Sequence, residues 1–160
     1  MPIELTPIGV VRTHATDDEI RAETADIEGH LEIVPDFAPA LEGIDGFSHL
    51  FVLFYFHRLR PDQIGPLQVR PRRLTRRGFR EEDLPLLGTL ALDSPTRPNP
   101  IGLTLVRFMG RDGSRLSVRG LDCFDGTPIL DVKACQADYQ VARCSVPGWY
   151  QDLMDERGHI

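Results

Sequence analysis

Long hydrophobic runs are missing from this chain. The longest, LFVLFYF at Leu50–Phe56, has seven residues, far short of the roughly 20 that a membrane-spanning helix needs. The opening MPIELTPIGVV also lacks a charged segment followed by an apolar one, so no targeting peptide is read there. Cysteine is scarce as well. Cys123, Cys135 and Cys144 are odd in number and form no CxxC pair, which disfavours a disulfide framework and a zinc site and predicts reduced thiols. A soluble, cytoplasmic protein is the expectation. Lysine is nearly absent, Lys133 being the only one among 18 basic residues; arginine carries the positive charge.

Several catalytic signatures are missing too. No GxGxxG opens a helix after a strand, and no GxxxxGK[ST], HExxH or GxSxG occurs. Any nucleotide-like ligand must therefore be held by something other than a Rossmann or P-loop chassis. Helical periodicity is scarce, with a turn near Ala38–Glu42 and a short helix over Trp149–Glu156 opened by Pro147.

What is present is strand. Short apolar or alternating runs bounded by turn residues predict strands at Pro7–Arg12, His30–Val34, His49–His57, Val69–Leu74, Gly88–Leu92, Ile101–Met109, Leu116–Leu121 and Ile129–Lys133. Asp112-Gly113 between two of them predicts a hairpin. Close-spaced strands without crossover helices read as one mainly β domain over 1–160, an antiparallel barrel or sandwich. The 41% apolar content suits a globular core.

Charge is unevenly spread. The net charge is −6, and between Asp17 and Asp45 ten acids face one base, Arg21. Between Arg70 and Arg80, six arginines (70, 72, 73, 76, 77 and 80) occur with no acid. That stretch reads either as a solvated basic face or as a phosphate-binding patch, since guanidinium forks match phosphate oxygens.

Polar groups interrupt the apolar strands at four places. His49 and His57-Arg58 flank one strand; the even spacing would put both histidines on one face, with His49 read as a core histidine. SPTRPNPIG holds Arg97 and Asn99 between Pro95, Pro98 and Pro100. Proline fixes φ and removes a donor, so this stiff piece reads as a preorganised wall, or as a rigid turn with Arg97 capping carbonyls. RGLDCFDGTPILDVK carries Asp122, Asp125 and Asp131, of which Asp125 also suits an Asx-turn. Lys133 follows in the same block. His49, His57, Asp122 and Asp125 match no metal-site spacing, so no metal is expected.

The blocks PIGVVR, LEGIDGFSHLFVLFYFHR, SPTRPNPIGLTLVR and GLDCFDGTPILDVK resemble, in this order, those of the TsaA-like (TrmO) family, over about residues 5 to 135, leaving 136–160 as a tail. The resemblance implies a six- or seven-stranded antiparallel β-barrel, a homodimer, and S-adenosylmethionine-dependent methylation of N6 of threonylcarbamoyladenosine beside the tRNA anticodon. By position it implies cofactor contacts from His57, Arg58, Arg97, Asn99, Leu103, Leu121, Asp122 and Asp125. Asp93 stands where many members have arginine, and an anion there suits the cofactor's sulfonium or ammonium, or a pair with Arg97. EIRAET replaces the family's Pro-Arg-Gln, with Arg21 the one residue able to stand in. Asp122, Asp125 and His57 are the candidate bases, unranked, and the six arginines are the expected tRNA contacts. A small-molecule methyltransferase and a non-catalytic S-adenosylmethionine-binding module are the alternatives.

Overall fold

Inward residues of six strands alternate with outward ones, and the sheet closes on itself. The computed structural model describes residues 1–22, 26–139, 141 and 143–155. Its strands are β1 (Gly9–Arg12), β2 (Glu28–Ile33), β3 (His49–Tyr55), β4 (Gln68–Val69), β5 (Leu87–Gly88), β6 (Ile101–Asp112), β7 (Arg115–Arg119) and β8 (Pro128–Ala134). β1, β2, β7, β6, β3 and β8 follow one another around a closed barrel, every pair antiparallel. The barrel is the arrangement found; the sandwich is excluded. Closure leaves these strands no open edge.

Period-two patterning explains the core. Along β6, Gly102, Thr104, Val106 and Phe108 are buried while Leu103, Leu105, Arg107 and Met109 are exposed. Val11, Leu31, Leu50, Val52, Leu116 and Ile129 fill the interior at 0% exposure. Each such side chain contributes about 1.5–3 kcal/mol on burial. Gly102 is small for a reason: a Cβ there would lie 2.3 Å from the Phe54 ring. Gly113 turns β6 into β7 at φ +60, the positive φ that a two-residue hairpin requires.

Two predicted strands are wrong in part. Val69–Leu74 is a strand only at β4, because Arg72–Arg77 forms a 3-10 helix closed by Gly78 at φ +87. Gly88–Leu92 is a strand only at β5 and continues as a 3-10 turn over Thr89–Ala91. β4 and β5 pair with each other outside the barrel. Both lie in the long connection from β3 to β6, where proline and arginine clusters break any longer ladder. The turn expected near Ala38–Glu42 is a 3-10 helix over Pro35–Leu41. Two α-helices occur among the described residues, α1 (Asp17–Arg21) and α2 (Gly148–Asp155); Glu156, expected to end the latter, lies outside the described residues.

Antiparallel order sorts the connections between two poles. One pole carries 13–27, 56–100 and 120–127; the other carries 34–48, the Gly113–Ser114 turn and the chain after Ala134. The outer wall is also two-sided. Across β1, β2 and β7, Glu32 takes ion pairs from Arg12 (3.3 Å) and Arg115 (2.7 Å), and Glu28 pairs with Arg119. Across β3 and β6 the outward pairs Phe51/Leu105, Leu53/Leu103 and Tyr55/Ile101 are apolar in body, and the fourth, His49/Arg107, is polar. His49 belongs to this outer wall, its Nδ1 2.9 Å from Ser48 Oγ. It is not a core histidine, because the inward register is taken by Leu50, Val52 and Phe54.

Candidate functional site

The three connections at the first pole bring nearly all the singled-out polar residues together. β3 ends at Tyr55, so His57 and Arg58 sit in the turn beyond it and share no strand face with His49. Arg58 donates to Asp17 Oδ2 at 2.6 Å and to the Asp125 carbonyl at 3.1 Å. Its guanidinium carbon lies 4.8 Å from the centre of the Phe124 ring, and that of Arg21 lies 5.0 Å from it, a cation–π arrangement. α1 is thereby tied to the pole. It is short enough to need help, which Thr16 and Glu19 supply as a reciprocal capping box.

Asp125 is structurally engaged, and not through an Asx-turn of its own. Its Oδ1 accepts from the Thr13 backbone N–H at 3.0 Å and its Oδ2 lies 3.6 Å from Arg12. Asp122 differs. Burial of its carboxyl pushes its pKa up; the hydroxyl of buried Thr104 opposes the rise, nearby Asp93 adds to it and Arg73 opposes it. Residue 122 as a whole is nevertheless exposed, so the side chain is accessible. His57 shifts the other way: burial, then the Arg58 charge, holds its pKa below the usual imidazole value.

The proline-rich loop is rigid for visible reasons. Arg97 Nη1 donates to the Ser94 carbonyl at 3.3 Å and the Leu92 carbonyl at 3.4 Å. It thus caps carbonyls, and no ion pair joins it to Asp93 among the described residues. The Asn99 carbonyl receives Ile101 N–H at 2.7 Å and the Pro100 carbonyl receives Phe56 N–H at 2.9 Å. Leu121 is buried at the pole, whereas Leu103 stands on the outer wall of β6, 54% exposed. Asp131 and Lys133 pair with each other on β8 at 2.9 Å, away from the pole's connections.

The arginine-rich segment lies at the same pole, with much of its charge engaged. Arg72 pairs with Glu81 and Arg80 with Asp83, both at 2.7 Å. Arg70 donates to the Leu84 carbonyl, Arg76 to the Arg21 carbonyl at 2.7 Å, and Arg77 to Met154 Sδ at 3.5 Å. Among the described residues no three His, Cys, Asp or Glu side chains gather as metal ligands, and no helix is long and apolar enough to cross a membrane. Sequence reading passed over Phe124, Thr104 and Asp17. Phe124 had a signal, an aromatic ring between the two acids of LDCFDG; Thr104 and Asp17 are found only through their partners.

Comparison with known proteins adds the family. The profile described as the tRNA-methyltransferase O N-terminal domain matches residues 19–140. A probable S-adenosyl-L-methionine-binding protein of Pyrococcus abyssi is 35% identical over 149 residues, 91% of this chain and 74% of the relative. A tRNA (adenine(37)-N6)-methyltransferase of Mus musculus is 38% identical over 100 residues, 62% of this chain but 21% of the relative. A crystal structure of TrmO superposes with a TM-score of 0.70 at 30% identity and covers 92% of this chain. The chain spans 64% of that solved protein's length.

Proposed function

The chain belongs to the tRNA-methyltransferase O N-terminal domain family, and from that premise we propose that it methylates N6 of threonylcarbamoyladenosine beside a tRNA anticodon, with S-adenosylmethionine as methyl donor. The observation that carries this reading is the convergence at one barrel pole of His57-Arg58, Asp93, Arg97, Asn99 and the Leu121–Asp125 segment, from two separate connections.

S-adenosylmethionine supplies a methyl group activated by a sulfonium. The residues present suit such a group. It has no phosphate, so the missing glycine fingerprint is no obstacle, and its sulfonium and ammonium are cations that Asp93 and Asp122 complement. Leu103 and Leu121 are proposed cofactor contacts by their place in the family's blocks, Leu103 on the outer wall of β6 and Leu121 buried at the pole. Asp122 is the proposed base. A carboxylate with a raised pKa holds a proton more tightly than an ordinary one and so accepts better from the weakly acidic N6–H. Asp125 is a poorer choice, because Thr13 and Arg12 already engage its oxygens. His57 keeps a neutral ring, able to orient the nucleophile by hydrogen bonding. Alignment of nucleophile and donor supplies the remainder of the rate.

Arg70, Arg72, Arg73, Arg76, Arg77 and Arg80 are the proposed contacts to the tRNA backbone, and the apolar β3/β6 wall the proposed contact between two copies in a cytoplasmic homodimer. A second reading, methylation of a small molecule, is favoured by the ion pairs that engage Arg72 and Arg80. Incubation with S-adenosylmethionine and hypomodified tRNA, followed by nucleoside mass spectrometry, tests the reaction. The first reading predicts threonylcarbamoyladenosine heavier by one CH2. Unchanged nucleosides would reject it.

A further inference from the structure

The long connection from β3 to β6 folds around a small core of its own, in which Leu74, Leu84 and Thr89 are buried. Large apolar side chains of the same connection stay outside it: Ile64, Leu67, Leu86 and Leu90 are exposed, Leu67 to 73% and Leu90 to 83%. An exposed leucine is ordinary when it stands singly. Leu67 and Leu90 stand together at one end of a short ladder and belong neither to the barrel core nor to the β3/β6 wall. That grouping points to a contact surface.

Their backbone is anchored on both sides. Thr89 N–H extends the β4/β5 ladder by donating to the Leu67 carbonyl at 2.9 Å, and Leu92 N–H closes the 3-10 turn on the Thr89 carbonyl at 3.3 Å. This end also holds the proline-rich loop. Gly65 N–H donates to the Arg97 carbonyl at 3.2 Å, and Arg97 Nη1 donates to the Leu92 carbonyl at 3.4 Å. The opposite end of the ladder runs straight into Arg70 and the 3-10 helix of Arg72–Arg77. Arg70, Arg76 and Arg77 are held there by neutral acceptors, two carbonyls and a thioether, which leave their charge available to an anion. Leu67 and Arg70 are three residues apart, at most about 11 Å, the length of about three stacked nucleotides. The leucines thus lie between cations suited to an RNA backbone and the loop of Asp93, Arg97 and Asn99 proposed for the cofactor.

We propose that Leu90, with Leu67 beside it, is an apolar wedge that enters the RNA stack when the target adenosine is drawn out towards the cofactor. The proposal rests on the tRNA reading above and states how that substrate is presented. A base inside a stack cannot offer its reacting atom to a pocket, so it has to leave the stack. Its departure uncovers the faces of the neighbouring bases, and an aliphatic side chain inserted between them covers those faces again. Such a wedge must be apolar, must project from a backbone that does not yield, and must sit beside groups that hold phosphates. Leu90 meets all three conditions. A two-fold copy of the chain would set these arginines against their own equivalents, whereas RNA brings phosphates to them.

The test uses the full chain, saturating S-adenosylhomocysteine and an anticodon stem-loop RNA with 2-aminopurine at the target adenine, a base whose fluorescence is quenched while it is stacked. Binding is read separately, from the anisotropy of a dye at the RNA end. The parent is expected to raise the 2-aminopurine signal several-fold on binding. Leu90→Ala should lose most of that rise and Leu67→Ala part of it, while both keep the RNA affinity that the arginines supply. Neither side chain is buried, so neither variant puts the fold at risk. An undiminished rise in Leu90→Ala, or a parent that binds RNA without any rise, would overturn the wedge and leave the tRNA reading standing. Conversion of a dimeric parent to a monomer by Leu90→Ala in light scattering would overturn it too, by giving the surface to a second copy. A parent that binds no RNA would overturn the tRNA reading and the wedge with it.

Discussion

Asp122 concentrates the residue-scale consequences. Its folded pKa is raised above the ordinary 3.8, chiefly by burial of the carboxyl. Between that value and the raised one, the folded chain keeps a proton that the unfolded chain has lost. Stability therefore falls as pH rises through this window, and the deficit persists at neutrality. Asp122→Asn removes it. The variant should melt at a higher temperature than the parent at pH 7, and the gap should close below pH 3.8. Thermal unfolding followed by circular dichroism at the two pH values checks this; a variant less stable at pH 7 would contradict the burial argument. Sequence reading singled out Asp122 because it ends an apolar strand, yet could not rank it against Asp125. The ranking came from partners far away in sequence: Thr13 and Arg12 engage one acid, Thr104 and Asp93 surround the other.

Among the elements, β3 and β6 set the core, since their register turns Leu50, Val52, Phe54, Thr104, Val106 and Phe108 inward. Gly102 lies against the Phe54 ring, and a methyl group would meet it at 2.3 Å. Gly102→Ala should cost about 1–3 kcal/mol, as overpacking in a filled core does. Urea unfolding with an unchanged slope and a lower midpoint is the expected result. A neutral outcome would mean that the ring moves aside without loss. All six barrel strands were legible in the sequence, since alternation such as Thr104-Leu105-Val106-Arg107-Phe108 has one physical meaning. β4 and β5 were overextended because they have no barrel partner and pair only with each other, over two residues each. His57 was placed on a strand for the opposite reason: apolar continuity through Phe56 hides the point where β3 leaves the sheet.

For the whole molecule, the contrast between the two outer walls predicts association. Leu103, Leu105 and Met109 are 54%, 49% and 52% exposed on one wall, while ion pairs cover the other. These exposed apolar side chains, with Arg107 between Leu105 and Met109, are the proposed interaction site, and a two-fold copy is the simplest cover. Leu105→Glu should convert a dimer to a monomer in light scattering at micromolar concentration; a monomeric parent would reject this interface. Charge distribution makes a separate statement. With a net charge of −6, tRNA affinity must come from a local patch. Replacing Arg72, Arg73, Arg76 and Arg77 by Gln should weaken tRNA binding and flatten its salt dependence, each lost phosphate contact changing the log–log slope by about 0.7–0.9. Equal affinity of parent and variant in filter binding would favour the small-molecule reading.

The most direct test of the central claim, that one pole of the barrel is the cofactor site, is an NMR titration of the labelled chain with S-adenosylhomocysteine. Backbone amide shifts should gather at His57-Arg58, at residues 93–103 and at Leu121–Asp125, and leave Asp45, Arg111 and Gly113 at the far pole unmoved. Shifts centred on the far pole, or none at saturating ligand, would contradict it.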